Sequence, residues 1–170
     1  MIEKRNLYIW GQFSPEDTLY LNDIQNLVRS KLKCEKFEPH ITLTKPNLIL
    51  DKNLLKLLDN LTKKNFSLEL RLKSYNYSNE FFKSFYLDIF NSNKIYNLRN
   101  EIIKFNKSNL NDNFNPHISL SYGNHEKDLK DILIKSLLGP KNSIMMTKLS
   151  IVDVKANINQ WEILDSFEFK

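Results

Sequence analysis

The sequence predicts an α+β fold in which one unit is used twice, and three observations predict it. Hydrophobic spacing switches between the strand period and the helix period in the order strand–helix–strand–helix–strand, then strand–helix–strand–helix–strand–strand. The pentad PHITL at residues 39–43 returns as PHISL at residues 116–120, at the same place in each copy. With only three glycines there is no GxGxxG or P-loop, so nucleotide-cofactor folds of those kinds are excluded.

Each element has its own signal. Residues 6–13, NLYIWGQF, are rich in β-branched and aromatic side chains and read as the opening strand. Ser14 is a helix cap, Pro15 suits the first helical position, and Glu16 and Asp17 sit at the helix's positive end. Leu21, Ile24, Leu27, Val28 and Leu32 recur at helical spacing, so residues 15–33 are an amphipathic helix. PHITL follows as a short strand closed by Pro46, and Asp51 caps a second helix carrying Leu54, Leu55, Leu57, Leu58 and Leu61.

FSLELRL, residues 66–72, alternates strictly, with Phe66, Leu68, Leu70 and Leu72 on one face. Residues 81–90, FFKSFYLDIF, read as the neighbouring strand. Ser92 opens a helix through Lys107, with Ile95, Leu98, Ile102 and Phe105 on one face. PHISL follows that helix, and a further helix over residues 126–138 stops at Gly139 and Pro140. Residues 144–156 and 161–169 close the chain as two strands joined across residues 157–159.

At 170 residues the chain is one domain or two tightly joined lobes, long enough to bury a core. Its 41% hydrophobic and 12% aromatic content suits a folded protein rather than a disordered one. No apolar run approaches the roughly 20 residues of a membrane span, and the start lacks a signal-peptide core. A cytoplasmic protein with no membrane partner is therefore expected. Cys34 is the lone cysteine, which excludes an internal disulfide framework and a cysteine-rich zinc site. The net charge of +5 agrees with an anionic partner, although a chain crowded with Lys, Asn and Ile acquires such a charge from biased base composition alone.

In a strand, residues i and i+2 share a face. His40 therefore shares one with Thr42, and His117 with Ser119, while Ile41, Leu43, Ile118 and Leu120 face the other way. If a pseudo-twofold relates the two units, two imidazoles and two hydroxyls converge in a cleft. That set suits phosphate-ester chemistry: a neutral imidazole takes a proton from water, an imidazolium gives one to the leaving oxygen, and the hydroxyls hold the non-bridging oxygens. A single HxT on a strand carries no signal. Two copies in equivalent settings, using two of the three histidines, do. Metal binding is the rival, because His125 lies eight residues after His117, yet no HxH, HExxH or carboxylate cluster accompanies them. No metal is expected. His125 reads as a loop or helix-start residue and Cys34 as a small packing or surface residue.

The segments HITL and HISL resemble the paired H-x-[T/S]-x signatures of the two-histidine (2H) phosphoesterase superfamily, most closely its cyclic phosphodiesterases of plant and fungal type. LYIWGQF is similar to that family's opening strand, KFEPHITL and FNPHISLSYG to its two catalytic segments, FFKSFYL to its central aromatic strand, and LSIVDVKANINQWEILDSFEF to its closing hairpin. The resemblance implies a bilobal fold, a single two-lobed domain over residues 1–170, with two antiparallel sheets flanking a central cleft and helices on the outside. It also implies hydrolysis, without metal or cofactor, of nucleoside 2′,3′-cyclic phosphates and ADP-ribose 1″,2″-cyclic phosphate to monoesters.

By motif match, His40 and His117 are the catalytic pair and Thr42 and Ser119 the phosphate ligands. Either histidine can be the base. Tyr122, after the second motif, is expected to contact base or ribose. Phe82 and Trp10 are further substrate-binding candidates, with core packing as their alternative. The expected partner is a small nucleotide carrying a cyclic phosphate, or an RNA end, met by a monomer. Rival readings are a phosphodiesterase for 2′–5′ oligonucleotides or cyclic dinucleotides, an RNA 2′,3′-cyclic phosphodiesterase, and a nucleotide- or RNA-binding protein without turnover.

Overall fold

A computed structural model describes residues 5–44, 48–105 and 113–170. The first strand, β1 (Leu7–Phe13), buries Leu7, Ile9 and Phe13 on its helix-covered face. Ser14 then caps α1 (Pro15–Leu32), its hydroxyl accepting the Asp17 N–H at 3.2 Å and donating to the Asp17 carboxylate at 2.8 Å. Leu21, Ile24, Val28 and Leu32 face the core as their spacing predicts, but Leu27 points to solvent. Lys33 ends the helix in the left-handed conformation, φ 53°, with its N–H on the Arg29 carbonyl.

β2 (Ile41–Thr42) is only two residues long. It is nevertheless fixed, because Leu43 N–H donates to Ile9 O at 2.9 Å, Ile9 N–H donates to the Thr44 hydroxyl at 3.0 Å, and the buried Arg99 donates to Leu43 O at 3.0 Å. Then follow α2 (Lys52–Lys64), capped by Asp51 on the Leu54 N–H at 2.8 Å, and β3 (Leu68–Tyr77). β4 (Phe85–Ile89), α3 (Asn93–Phe105), β5 (His117–Ser121), α4 (Lys127–Ser136), β6 (Ser143–Asp153) and β7 (Glu162–Glu168) complete the order. No described helix is long and apolar enough to cross a membrane.

The element order is the predicted one, with local differences. Phe66 lies before β3 and is 76% exposed, because the alternating segment pairs only from Leu68 and then runs on to Tyr77. Phe81–Lys83 is a 3-10 turn rather than strand, which turns Phe81 and Phe82 outward. Phe105, in the last turn of α3, is also exposed. The two closing strands are joined by a 3-10 turn, Ile158–Gln160. The strand closure at Pro46 and the helix continuation to Lys107 lie outside the described residues.

Every strand pairing is antiparallel. β2, β1, β6 and β7 form one sheet and β3, β4 and β5 the other. β3 joins them: Leu68–Arg71 pairs with Ser143–Met146 of β6, and the pairing from Leu72 to Tyr77 is with β4. The chain thus exchanges strands between its two copies. The first copy (β1, α1, β2, α2, β3) gives its last strand to the second sheet, and the second copy gives β6 to the first. Both sheets bury apolar residues such as Leu70, Leu87, Ile118 and Ile151 in one continuous core.

Candidate active site

Both motifs use the same local device. A proline precedes each histidine, and each imidazole turns back onto the carbonyl two residues earlier: His40 Nδ1 meets Glu38 O at 2.7 Å, and His117 Nδ1 meets Asn115 O at 2.8 Å. A carbonyl only accepts, so Nδ1 carries the proton in both rings. In the neutral state each Nε2 is left as a lone pair. The hydroxyl residues follow on the same side, Thr42 paired with Trp10 of β1 and Ser119 paired with Tyr86 of β4.

The two histidines sit in different surroundings. His40 is 3% exposed, stacked on Trp10 with ring centres 3.5 Å apart and planes within 5°, and its Nε2 lies 3.5 Å from the Tyr122 hydroxyl. Burial pushes its pKa from the ordinary 6.5 down to about 3; the Glu38 carbonyl opposes the shift and the His117 charge adds to it. His117 is half-buried, with Tyr86 edge-on at 5.3 Å and the Lys83 ammonium 4.5 Å from the Tyr86 ring centre. Burial lowers its pKa as well. The Lys83 charge helps, while the Asn115 carbonyl and the charges of Asp88 and Glu80 resist.

One cavity of about 260 Å³ is lined by all seven residues singled out in the sequence: His40, His117, Thr42, Ser119, Tyr122, Phe82 and Trp10. They do not contribute alike. Trp10 is 2% exposed and its face is covered by the His40 ring, so it supports the imidazole rather than offering a stacking surface. Tyr122 is a buried floor, stacked on Phe37 at 4.2 Å. Phe82, by contrast, is 59% exposed at the cavity mouth.

Tyr8, Val154 and Trp161 complete the lining. Tyr8 was within reach of the sequence, since it lies two residues before Trp10 on the same strand face. Trp161 and Val154 carried no signal, because only the return of the β6–β7 connection brings them over the cleft.

His125 is a turn residue, its Nε2 donating to Tyr122 O at 3.1 Å. It fills the space beside Gly123, whose φ is 130° and where an added Cβ would lie 2.8 Å from His125 Nε2. Gly123 N–H also donates to Phe81 O at 2.9 Å, tying the second motif to the Phe82 turn. Gly123→Ala should therefore cost about 1–3 kcal/mol in urea unfolding; a change within 0.5 kcal/mol (roughly the spread of a neutral substitution) would show that the turn relaxes freely. Cys34 is half-buried and burial raises its thiol pKa, which makes it a poor nucleophile. Among the described residues no three His, Cys, Asp or Glu side chains cluster as metal ligands would.

The arrangement can hold a phosphate between two hydroxyls and two Nε2 atoms. An anion bound there would offset the burial penalty on imidazolium and make a protonated ring accessible.

Comparison with known proteins bears on the family and the fold. A family model described as the 2′-5′ RNA ligase superfamily matches residues 13–157. No curated protein sequence matches the chain. Among solved structures, a Thermus thermophilus protein superposes with a TM-score of 0.68 at 13% identity, covering 96% of this chain and 97% of that one. E. coli LigT complexed with 3′-AMP gives 0.67 at 16% identity over 99% of both chains. Kluyveromyces marxianus Usb1 gives 0.53 at 10% identity, over 99% of this chain and 100% of that one. These likenesses concern the fold.

Proposed function

The chain belongs to the 2′-5′ RNA ligase superfamily of two-histidine phosphoesterases, and from that premise we propose that it is a metal-independent cyclic phosphodiesterase acting on nucleoside 2′,3′-cyclic phosphates or ADP-ribose 1″,2″-cyclic phosphate. The observation that carries the reading is the matched pair of Nδ1-anchored imidazoles, each followed by a hydroxyl, on one cavity. That LigT forms a complex with 3′-AMP, a nucleoside monophosphate, supports a nucleotide ligand.

In the proposed reaction, water attacks phosphorus in line with one ring oxygen. The lone pair of one Nε2 takes the water proton while the Nε2–H of the other ring protonates the departing ribose oxygen. One P–O bond forms, one breaks, and the product is a phosphomonoester. Thr42 and Ser119 donate to the non-bridging oxygens. Trp10 holds the His40 ring, and Tyr122 and Phe82 bound the nucleoside.

Because burial lowers both imidazole pKa values in the free protein, the bell of kcat/KM against pH should centre on the acid side of 6.5. The kcat bell should lie at higher pH, since the bound phosphate favours imidazolium. Coincident bells, or a rate that keeps rising into alkali, would count against the pair. The deciding assay presents 2′,3′-cyclic AMP, ADP-ribose 1″,2″-cyclic phosphate, a 2′–5′ oligoadenylate and a cyclic dinucleotide, all with EDTA, and follows products by phosphorus NMR. Turnover of the first two supports the proposal. Turnover of only the last two keeps the chemistry and changes the substrate, and dependence on added metal overturns the mechanism.

A further inference from the structure

We propose that Arg99 is a positioning residue that sets the spacing of the two histidine motifs, holding the first at Leu43, three residues after His40, and the second at Phe114, three residues before His117. The inference rests on the phosphodiesterase reading above and deepens it, adding a residue of α3 to the machinery of the cleft.

The sheet connectivity creates the need. Ordered by hydrogen bonding, the strands run β2–β1–β6–β3–β4–β5, so the two motif strands are the two ends of the path, with four strands between them. β2 and β5 pack against each other, yet among the described residues no ladder joins them. Each strand twists against the next, so small displacements accumulate along the path. β2 is itself only two residues long and pairs only with β1, which makes its own ladder a weak anchor. A fixed separation of the imidazoles calls for a more direct link.

Arg99 supplies one. It is 4% exposed, on the face of α3 that carries Ile95, Leu98, Ile102 and Ile103 into the core. A charged side chain there is costly unless its donors are used. The guanidinium is flat, and its edge and its face are used separately. In the plane, Nε–H donates to Leu43 O at 3.0 Å. Over the plane, Cζ lies 4.3 Å from the centre of the Phe114 ring.

Both contacts lead straight to the chemistry. Leu43 directly follows Thr42, and its N–H is bound to Ile9 O at 2.9 Å. Phe114 directly precedes Asn115, whose carbonyl fixes the His117 ring through Nδ1 at 2.8 Å. Tyr96, one helical turn before Arg99, holds Phe114 as well: its hydroxyl donates to Phe114 O at 3.0 Å, and the two rings meet edge-on at 5.3 Å. One turn of α3 thus grips the end of one motif and the approach to the other. Lysine cannot substitute, because an ammonium is a point charge with neither edge nor face. Methionine keeps the apolar stem and loses both contacts.

The test measures turnover of 2′,3′-cyclic AMP by the full chain, Arg99→Lys and Arg99→Met. Ile95→Val, which removes one buried methylene from the same helix, controls for general loosening of α3. Each is assayed at a temperature where circular dichroism shows it folded. In both Arg99 variants kcat should fall about tenfold or more while KM changes less than about threefold, since a displaced acid–base pair costs rate rather than ground-state binding. Ile95→Val should match wild type. The imidazole Cε1–H resonances give a readout that needs no turnover: those of His40 and His117 should both shift in the Arg99 variants and stay in place in Ile95→Val.

Wild-type kcat in the Arg99 variants, an equal loss in Ile95→Val, or a shift confined to one imidazole overturns the proposal. If Arg99→Met does not fold, Arg99→Lys carries the comparison. A wild-type chain that turns over no cyclic phosphate removes the phosphodiesterase reading alone, and the paired resonance shifts then decide for or against Arg99.

Discussion

Replacing either His40 or His117 should lower turnover of the proposed cyclic phosphate by roughly 10²–10⁴-fold, the usual contribution of a positioned acid or base. The informative variants are His40→Gln and His117→Ala. His40 is buried against Trp10, so glutamine keeps most of the volume and avoids a cavity that would confuse lost chemistry with lost folding. His117 is half-buried and opens on the cavity, so alanine leaves a space that free imidazole can enter. Added imidazole should therefore restore part of the rate to His117→Ala and none to wild type. The double variant should be little worse than the weaker single one, because in the proposed reaction acid and base act in the same step. Losses that multiply, or a single variant within tenfold of wild type, would mean that the two rings do not share a transition state.

The second large effect is on stability in acid. The folded chain holds His40 with a pKa of about 3, against an ordinary value of 6.5 in the unfolded chain. Between those values the unfolded state binds the extra proton, so the stability present above pH 6.5 is lost as the pH falls toward 3. The slope for one such group is about 1.4 kcal/mol per pH unit. His117 is shifted in the same direction and adds to it. Asp17 and Asp153 also destabilise in acid, since their folded-state pKa values are lowered, but they are common to wild type and His40→Gln. Urea unfolding at pH 7, 6, 5 and 4 should show wild type losing stability faster than His40→Gln by about that slope. Parallel curves would mean that the His40 ring reaches water in the folded state.

Local chemistry made most of the fold legible. Ser14 and Asp51 cap the helices that follow them, and the leucines at 54, 58 and 61 face inward, because caps and helical periods act within a few residues. Phe81 and Phe82 depart from the expected strand for a related reason. An aromatic run has strand propensity, but the β3–β4 pairing ends at the Tyr77–Phe85 pair, and the turn beyond it sets the aromatics loose. Seven of the ten cavity residues were legible in the sequence, because the repeated pentad placed four of them and the family resemblance the other three. Trp161 was not, since it packs by tertiary return against Trp10, Phe37 and Tyr122, none of them near it in sequence. The Nδ1 tautomers were likewise hidden, because they depend on where the carbonyls of Glu38 and Asn115 point.

The strand exchange between the two copies also bears on how the protein comes into being. β1 borders β6, whose residues emerge from a ribosome more than a hundred positions later, so the first half of the chain leaves synthesis with an unfinished sheet edge. Each half lacks a strand of its own sheet, so neither should survive excision as a working lobe. A chain terminated before residue 143 should thus yield no partial enzyme but an aggregating fragment. The same exchange is what a domain-swapped dimer of a single ancestral copy would leave behind after its two chains were joined.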